Sequence, residues 1–236
     1  MSNIHTSNQV AFISATSTLL GLVIGSGCIL TILTKSRVSA FLAVLGIFHE
    51  LEFYITAEFQ GSQLSWDSFV LNNGAAYWIA MTIGVFEYYF TNGSSISKIL
   101  PRLHFPSCAL SWIPWLFTRL AITMIISGQL LRSYAMVHAG KSFSHHIASE
   151  KKREHSLVKS GVYHYVRHPS YVGFFVWALG TQFLLQNTFS LIAFAIVLWD
   201  FFSKRIAGEE MYLIKFFGEE YKDYRRKTAS GIPFVP

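Results

Sequence analysis

Long charge-free apolar runs alternate with short polar stretches along this chain. Residues 10–33 contain no charged side chain. A helix needs roughly 20 apolar residues to cross about 30 Å of hydrocarbon, at about 1.5 Å of rise each. This run therefore predicts a spanning helix. It is too long for a signal-peptide core and lacks a basic segment before it. Further spans are predicted over 38–57, which holds His49, Glu50 and Glu52 in its second half, over 75–90, which holds Glu87, and over 108–131, which holds Pro114 and Arg119. The last apolar block, 171–202, carries one charge, Asp200. One crossing cannot use that length, and Gln186-Asn187 near its centre is a turn signal. Spans over 171–185 and 188–202 joined as a tight helical hairpin are the reading. No linker or fixed-period repeat divides the chain, so the expectation is a single all-α integral membrane domain, 1–236, of about six transmembrane helices.

Composition agrees with that pattern. The chain has 236 residues, 52% of them hydrophobic and 14% charged, where a soluble domain carries about a quarter charged. A disordered chain, an acidic scaffold and an ordinary water-soluble enzyme are thereby excluded. Cys28 and Cys108 lie in or beside apolar segments and read as small core residues, too few for a disulfide framework. The net charge of +6 comes from basic residues flanking the spans. That placement fits anionic lipid headgroups and gives no reason to expect nucleic acid. Six Lys/Arg lie in 141–167 and seven in 204–227. The hairpin returns the chain to its starting side, so both clusters share one face, which the positive-inside rule makes cytosolic. An even span count puts both termini there; Lys35 and Arg37 would then face the opposite side.

Two segments are too polar for hydrocarbon. One is Leu157-Val158-Lys159-Ser160-Gly161-Val162-Tyr163-His164-Tyr165-Val166-Arg167-His168-Pro169-Ser170-Tyr171-Val172-Gly173. The other holds Arg205, Glu209-Glu210 and Phe216-Phe217-Gly218-Glu219-Glu220-Tyr221. The Arg-His-Pro-Ser-Tyr-Val-Gly run followed by the paired glutamates resembles the signature of integral-membrane methyltransferases that use S-adenosylmethionine. These include isoprenylcysteine carboxyl methyltransferases and phospholipid N-methyltransferases. The first family is favoured by its resemblance to His138-Ala139-Gly140-Lys141-Ser142-Phe143-Ser144-His145, Gly180-Thr181-Gln182, Gly231-Ile232-Pro233-Phe234, Phe48-His49 with Glu52, and Asp67-Ser68-Phe69 with Leu71-Asn72.

The resemblance implies methylation of the α-carboxylate of a C-terminal cysteine bearing a farnesyl or geranylgeranyl chain, in the endoplasmic reticulum membrane, with the active site facing the cytosol. It implies a cofactor-binding region over about 138–171 and 203–236. Donor contacts would be Ala148 (through its backbone), His155, Ser156, Leu157, Val158, Tyr163, His168, Pro169, Ser170, Tyr171 and Glu209. His168 before Pro169 suits a helix start with free N–H groups nearby. Those groups and Arg167 would bind the cofactor carboxylate, Glu209 its amino or ribose groups, and the tyrosine rings its adenine or sulfonium. Arg205 would present the acceptor carboxylate, since a guanidinium fork suits bidentate binding. Arg205 and Glu209 are the catalytic candidates. Four residues apart on a helix, they are also placed to form a plain ion pair. A non-catalytic membrane scaffold is the alternative from outside enzymology.

Other features have structural readings. His49 and Glu52, at i and i+3, can bond each other, and Glu87 and Arg119 can pair between spans. His145-His146 lacks the partners of a zinc site, so no metal is expected. Phe174, Phe175 and Trp177 read as a lipid-facing stripe, the rival use being a prenyl tunnel. Lys151-Lys152-Arg153 reads as a solvated charge run. Gly21-x-x-x-Gly25 permits close helix packing. No Gly-x-Gly-x-x-Gly follows a strand, which argues against a soluble dinucleotide-type fold.

Overall fold

In the computed structural model, residues 2–61, 64–91, 113–151 and 155–236 are described, with the side chains of 2–7 and 113–114 left aside. Cys108, Lys152, Arg153 and the predicted span start at 108–112 lie outside the described residues. The described chain is helical: α1 (Ser2–Thr34), α2 (Arg37–Gln60), α3 (Ala75–Phe90), α4 (Ile113–Ala139), α5 (Pro169–Leu185), α6 (Phe189–Phe217) and α7 (Glu219–Lys227), with short 3-10 turns between them. Three segments are long and apolar enough to cross a membrane: Asn8–Thr34, Arg37–Gln60 and Trp115–Ser142. Helices α3 and α5, at 16 and 17 residues, are only about 25 Å long.

The helical hairpin is present. Gln186 ends α5 in the left-handed conformation (φ 58°). The Asn187 amide donates to the carbonyl of Gly84 (2.8 Å) and to Gln182 Oε1 (2.9 Å), which pins the turn to α3. Helix α6 does not stop at 202; it runs unbroken to Phe217, so the apolar and polar segments predicted separately are one rod. Glu87 does not meet Arg119. Its carboxylate accepts the N–H groups of Thr188, Phe189 and Ser190 (2.9, 2.9 and 2.6 Å). An acid from α3 therefore caps the positive end of α6, the favourable sense of charge against a helix dipole. Arg119 instead lies over the ring of Trp115, 5.0 Å from its centroid.

Close packing of α4 on α5 rests on three glycines, Gly128, Gly173 and Gly180. A methyl added at Gly128 would sit 2.6 Å from the carbonyl oxygen of Gly173, and one at Gly173 would sit 2.6 Å from the nitrogen of Arg132. Above this contact lies an aromatic core in which Phe48 stacks on Trp177 with centroids 4.4 Å apart. Trp177 is buried and Phe174 packs on it, so that stripe faces α2 and α6 as well as lipid. Cys28, expected in the core, is exposed on α1.

His49 and Glu52 do not bond each other. The His49 ring meets the Phe69 carbonyl (2.8 Å) and the Tyr77 hydroxyl (3.2 Å). Glu52, fully buried, takes a bidentate pair from Arg132 at 2.5 and 2.8 Å. The remaining nitrogen of Arg132 donates to the hydroxyl of Ser170 (3.0 Å) and, at 3.3 Å, to its carbonyl. The guanidinium is flanked by Phe48 and Phe174, each 5.5 Å away. Buried charge of this kind persists only when paired and hydrogen-bonded. Here it ties α2, α4 and the first turn of α5 together.

Candidate functional site

Helix α5 begins at Pro169, where a missing N–H removes nothing from the ladder, with His168 as N-cap. The backbone before it is fixed to the tail. Arg167 and His168 donate their N–H groups to the carbonyls of Ala229 (2.8 Å) and Ser230 (3.2 Å). The Arg167 side chain is buried and bound on every side. It donates to Glu210 (2.8 Å), to the carbonyls of Arg225 (3.2 Å) and Pro236 (2.7 Å), and to that of Thr228. Its guanidinium is thus committed to protein partners, which removes the free fork that a cofactor carboxylate would need. Glu210 also meets His168 Nε2 at 3.2 Å and Arg225 Nε at 2.9 Å. Burial alone would raise its pKa; the hydrogen bonds from His168 and Arg167 outweigh that and hold it below the usual carboxylate value. Of the paired glutamates, Glu210 is the structural one.

Glu209 points the other way. Its Oε2 accepts a 2.5 Å hydrogen bond from the Tyr171 hydroxyl. The same hydroxyl accepts from Arg205 Nε at 2.9 Å, and Arg205 Nη2 donates to the carbonyl of His145. The direct Arg205–Glu209 ion pair that their spacing permits is absent; Tyr171 stands between them. Neither Glu209 Oε1 nor Arg205 Nη1 has a hydrogen-bond partner among the described residues. The Glu209 side chain is 30% exposed.

A cavity of about 130 Å³, open on one side, lies between the 139–171 segment and the polar half of α6. Ala148, His155, Ser156, Leu157, Val158, Tyr163, Arg167, His168, Pro169, Ser170, Tyr171 and Glu209 all line it. Arg205 does not; it touches the wall from behind, through Tyr171. Tyr163 is anchored by its hydroxyl on the Ala135 carbonyl (3.2 Å). Burial, and then the charge of Glu209, push its pKa up, so it remains a neutral donor. The same causes at Tyr221, with Glu210 as the charge, act the same way.

Tyr212 and Leu213, which were not singled out from the sequence, complete the far wall with Phe216 and Phe217 of the second polar segment. The signal was available: with Glu209 they fall at intervals of three and four, one face of a helix. Arg132 also went unnoticed, because an isolated arginine in an apolar run names no partner. His145 lies 3.6 Å from Glu52 and 3.1 Å from the Thr56 hydroxyl, and burial lowers its pKa to about 4. Among the described residues no three His, Cys, Asp or Glu side chains form a metal-sized cluster.

The arrangement offers a half-open chamber with aromatic walls, one carboxylate facing in and a guanidinium just outside. Residues 121–215 match the model of the isoprenylcysteine carboxyl methyltransferase family. The chain is 53% identical to a protein-S-isoprenylcysteine O-methyltransferase of Schizosaccharomyces pombe, over all of both chains. It is 43% identical to the Saccharomyces cerevisiae protein of that name, over 97% of this chain and 93% of the other. A solved structure of the eukaryotic intramembrane Ras methyltransferase superposes with a TM-score of 0.83 at 35% identity, covering 95% of this chain and 77% of that one. With identity of that extent and a shared fold, the chain belongs to the isoprenylcysteine carboxyl methyltransferase family.

Proposed function

We propose that this enzyme methylates the C-terminal α-carboxylate of S-prenylated cysteine, using S-adenosylmethionine held in the chamber beside Glu209. The six apolar helices are read as six crossings, with the chamber, the basic clusters and both termini on the cytosolic side of the endoplasmic reticulum membrane. One observation carries the reading: the residues that the sequence pattern nominated as donor contacts line one cavity. The chemistry of that cavity suits the donor. Aromatic and aliphatic walls from Phe143, Leu157, Leu213 and Phe216 accept a flat base. The free Oε1 of Glu209 accepts hydrogen bonds from an amino or ribose group and attracts a cation.

When bound, S-adenosylmethionine supplies a methyl group on a positively charged sulfur. The acceptor carboxyl has a pKa near 3.5 and is about fully ionised at pH 7, so no general base is required. The chain's task is then alignment and exclusion of water, an effect worth up to roughly 7–11 kcal/mol. Arg205 Nη1 receives the acceptor carboxylate, while Nε and Nη2 hold the guanidinium in place through Tyr171 and His145. Phe201, half exposed at the membrane side and 6.0 Å from that guanidinium, begins an apolar path for the prenyl chain. Of the two charges that oppose this orientation, Lys35 and Arg37, the second donates to the Leu184 carbonyl (2.9 Å) at the C-terminal end of α5, a favourable place for a cation.

The test is turnover by the purified chain in nanodiscs with N-acetyl-S-farnesylcysteine and methyl-labelled donor. A base-labile methyl ester is expected. Labelled phosphatidylethanolamine in place of the ester would overturn the reading.

A further inference from the structure

Arg205 and Glu209 are one helical turn apart on α6, a spacing at which Arg and Glu side chains ordinarily meet. They do not meet because the Tyr171 hydroxyl occupies the space between them, donating to one and accepting from the other. The ring cannot swing aside. It is stacked on His168, with centroids 5.5 Å apart at 6°, and on Phe202, at 5.1 Å and 28°. The Arg205 guanidinium also lies 5.5 Å from the ring centroid. Tyr171 is thus a rigid spacer from a different helix, fixed at the N-terminal turn of α5.

We infer that the Tyr171 hydroxyl is a positioning group that keeps Arg205 and Glu209 from neutralising each other, leaving the guanidinium to an acceptor carboxylate and the carboxylate to the cationic donor. The inference rests on the proposed function and adds a role that an aromatic donor contact alone does not have. Each charged group gives Tyr171 one atom and keeps another free, Nη1 on Arg205 and Oε1 on Glu209. Without the hydroxyl, Nε and Oε2 both lose a partner in a half-buried site, where an unpaired charge is unfavourable. Each is then the other's nearest oppositely charged neighbour on α6, with His168 Nδ1, 3.8 Å from Oε2, the one other basic group beside Glu209 among the described residues. An incoming acceptor carboxylate must then compete with Glu209 for Arg205.

The experiment measures equilibrium binding of N-acetyl-S-farnesylcysteine to the full chain in nanodiscs, without donor, for wild type, Y171F, E209Q and Y171F/E209Q. Y171F keeps the stacked ring and removes only the bridge. Its Kd is expected to rise about tenfold, the worth of one modest charge-assisted hydrogen bond. E209Q alone should leave the Kd near wild type. The double variant removes the competitor and should return the Kd to within about threefold of wild type, which a misfolded protein would not do. A wild-type Kd in Y171F, or a double variant as weak as Y171F, would overturn the inference. Absence of binding by the wild type would instead overturn the proposed function itself.

Discussion

Gly173 closes the Arg-His-Pro-Ser-Tyr-Val-Gly run, and the structure places it where α4 and α5 approach closely. Substituting it with alanine places a Cβ 2.6 Å from the Arg132 nitrogen, 2.7 Å from the Gly128 oxygen and 2.9 Å from the Arg132 Cβ. Ordinary contact begins at 3.4 Å, so the shortfall against the first is about 0.8 Å. The first two obstacles are backbone, so rotamer change gives no relief and the helices must part. A gap of that size forfeits about a quarter to a half of each dispersion contact across the seam. Overpacking against backbone therefore destabilises by about 3 kcal/mol, the upper end of the usual range. For a chain of this length that is a fall in Tm of about 6–12 °C. The separation acts one turn from Ser170, where Arg132 makes its 3.0 Å bond, so donor binding should weaken as well. Scanning fluorimetry in nanodiscs and calorimetry with the donor are the measurements. Gly21→Ala is the control: nothing lies within 4 Å of its added methyl. If Gly173→Ala melted within about 1 °C of Gly21→Ala, the seam would be looser than described and the reasoning would fail.

Four other outcomes are expected. Glu52→Leu or Arg132→Leu alone leaves a buried charge unpaired and should cost about 3–5 kcal/mol, whereas the double replacement should cost less than either; equal or additive melting losses would contradict this. Glu209→Ala should raise the donor Kd about tenfold or more by removing a charge-assisted contact, read by calorimetry, and an unchanged Kd would remove it from the donor site. Arg205→Ala should raise the KM for prenylcysteine with donor Kd unaltered, and the reverse split would misassign it. Stability should fall as the pH drops. His145 has its pKa lowered by burial to about 4, so the unfolded chain binds a proton first below about 6.5. Glu210, also lowered, contributes stability above the ordinary carboxylate pKa that disappears as the pH falls through its own. Both act in one direction; a melting temperature flat between pH 7 and about 4 would refute the His145 contribution, and one that stayed flat on further acidification would refute that of Glu210.

The long apolar helices and the hairpin were legible because hydrocarbon admits few alternatives: a long apolar run must be helical, and Gln186-Asn187 interrupts one. The chamber was legible because its residues are clustered in two short segments that a hairpin returns to one face. What escaped were partners remote in the chain. Nothing local says that Glu87 caps a helix a hundred residues later, or that Glu52 waits for Arg132. The division of labour between Glu209 and Glu210 was hidden for the same reason, since adjacent helical positions point about 100° apart and only the tail reveals which one is enclosed. Arg167 misled because a motif arginine beside a cofactor loop suggests ligand binding, while four carbonyl and carboxylate partners come from the polar half of α6 and residues 225–236.

That last feature bears on how the enzyme comes into being. The backbone just before α5 hangs on Ala229 and Ser230, and Arg167 on carbonyls from 225 to 236. A ribosome makes those residues after every apolar helix described above. The membrane helices can insert one by one while synthesis continues, yet the chamber's floor has nothing to close against until Ala229 and Ser230 have been made. A nascent chain stalled before Ala229 would hold those apolar helices and no finished site.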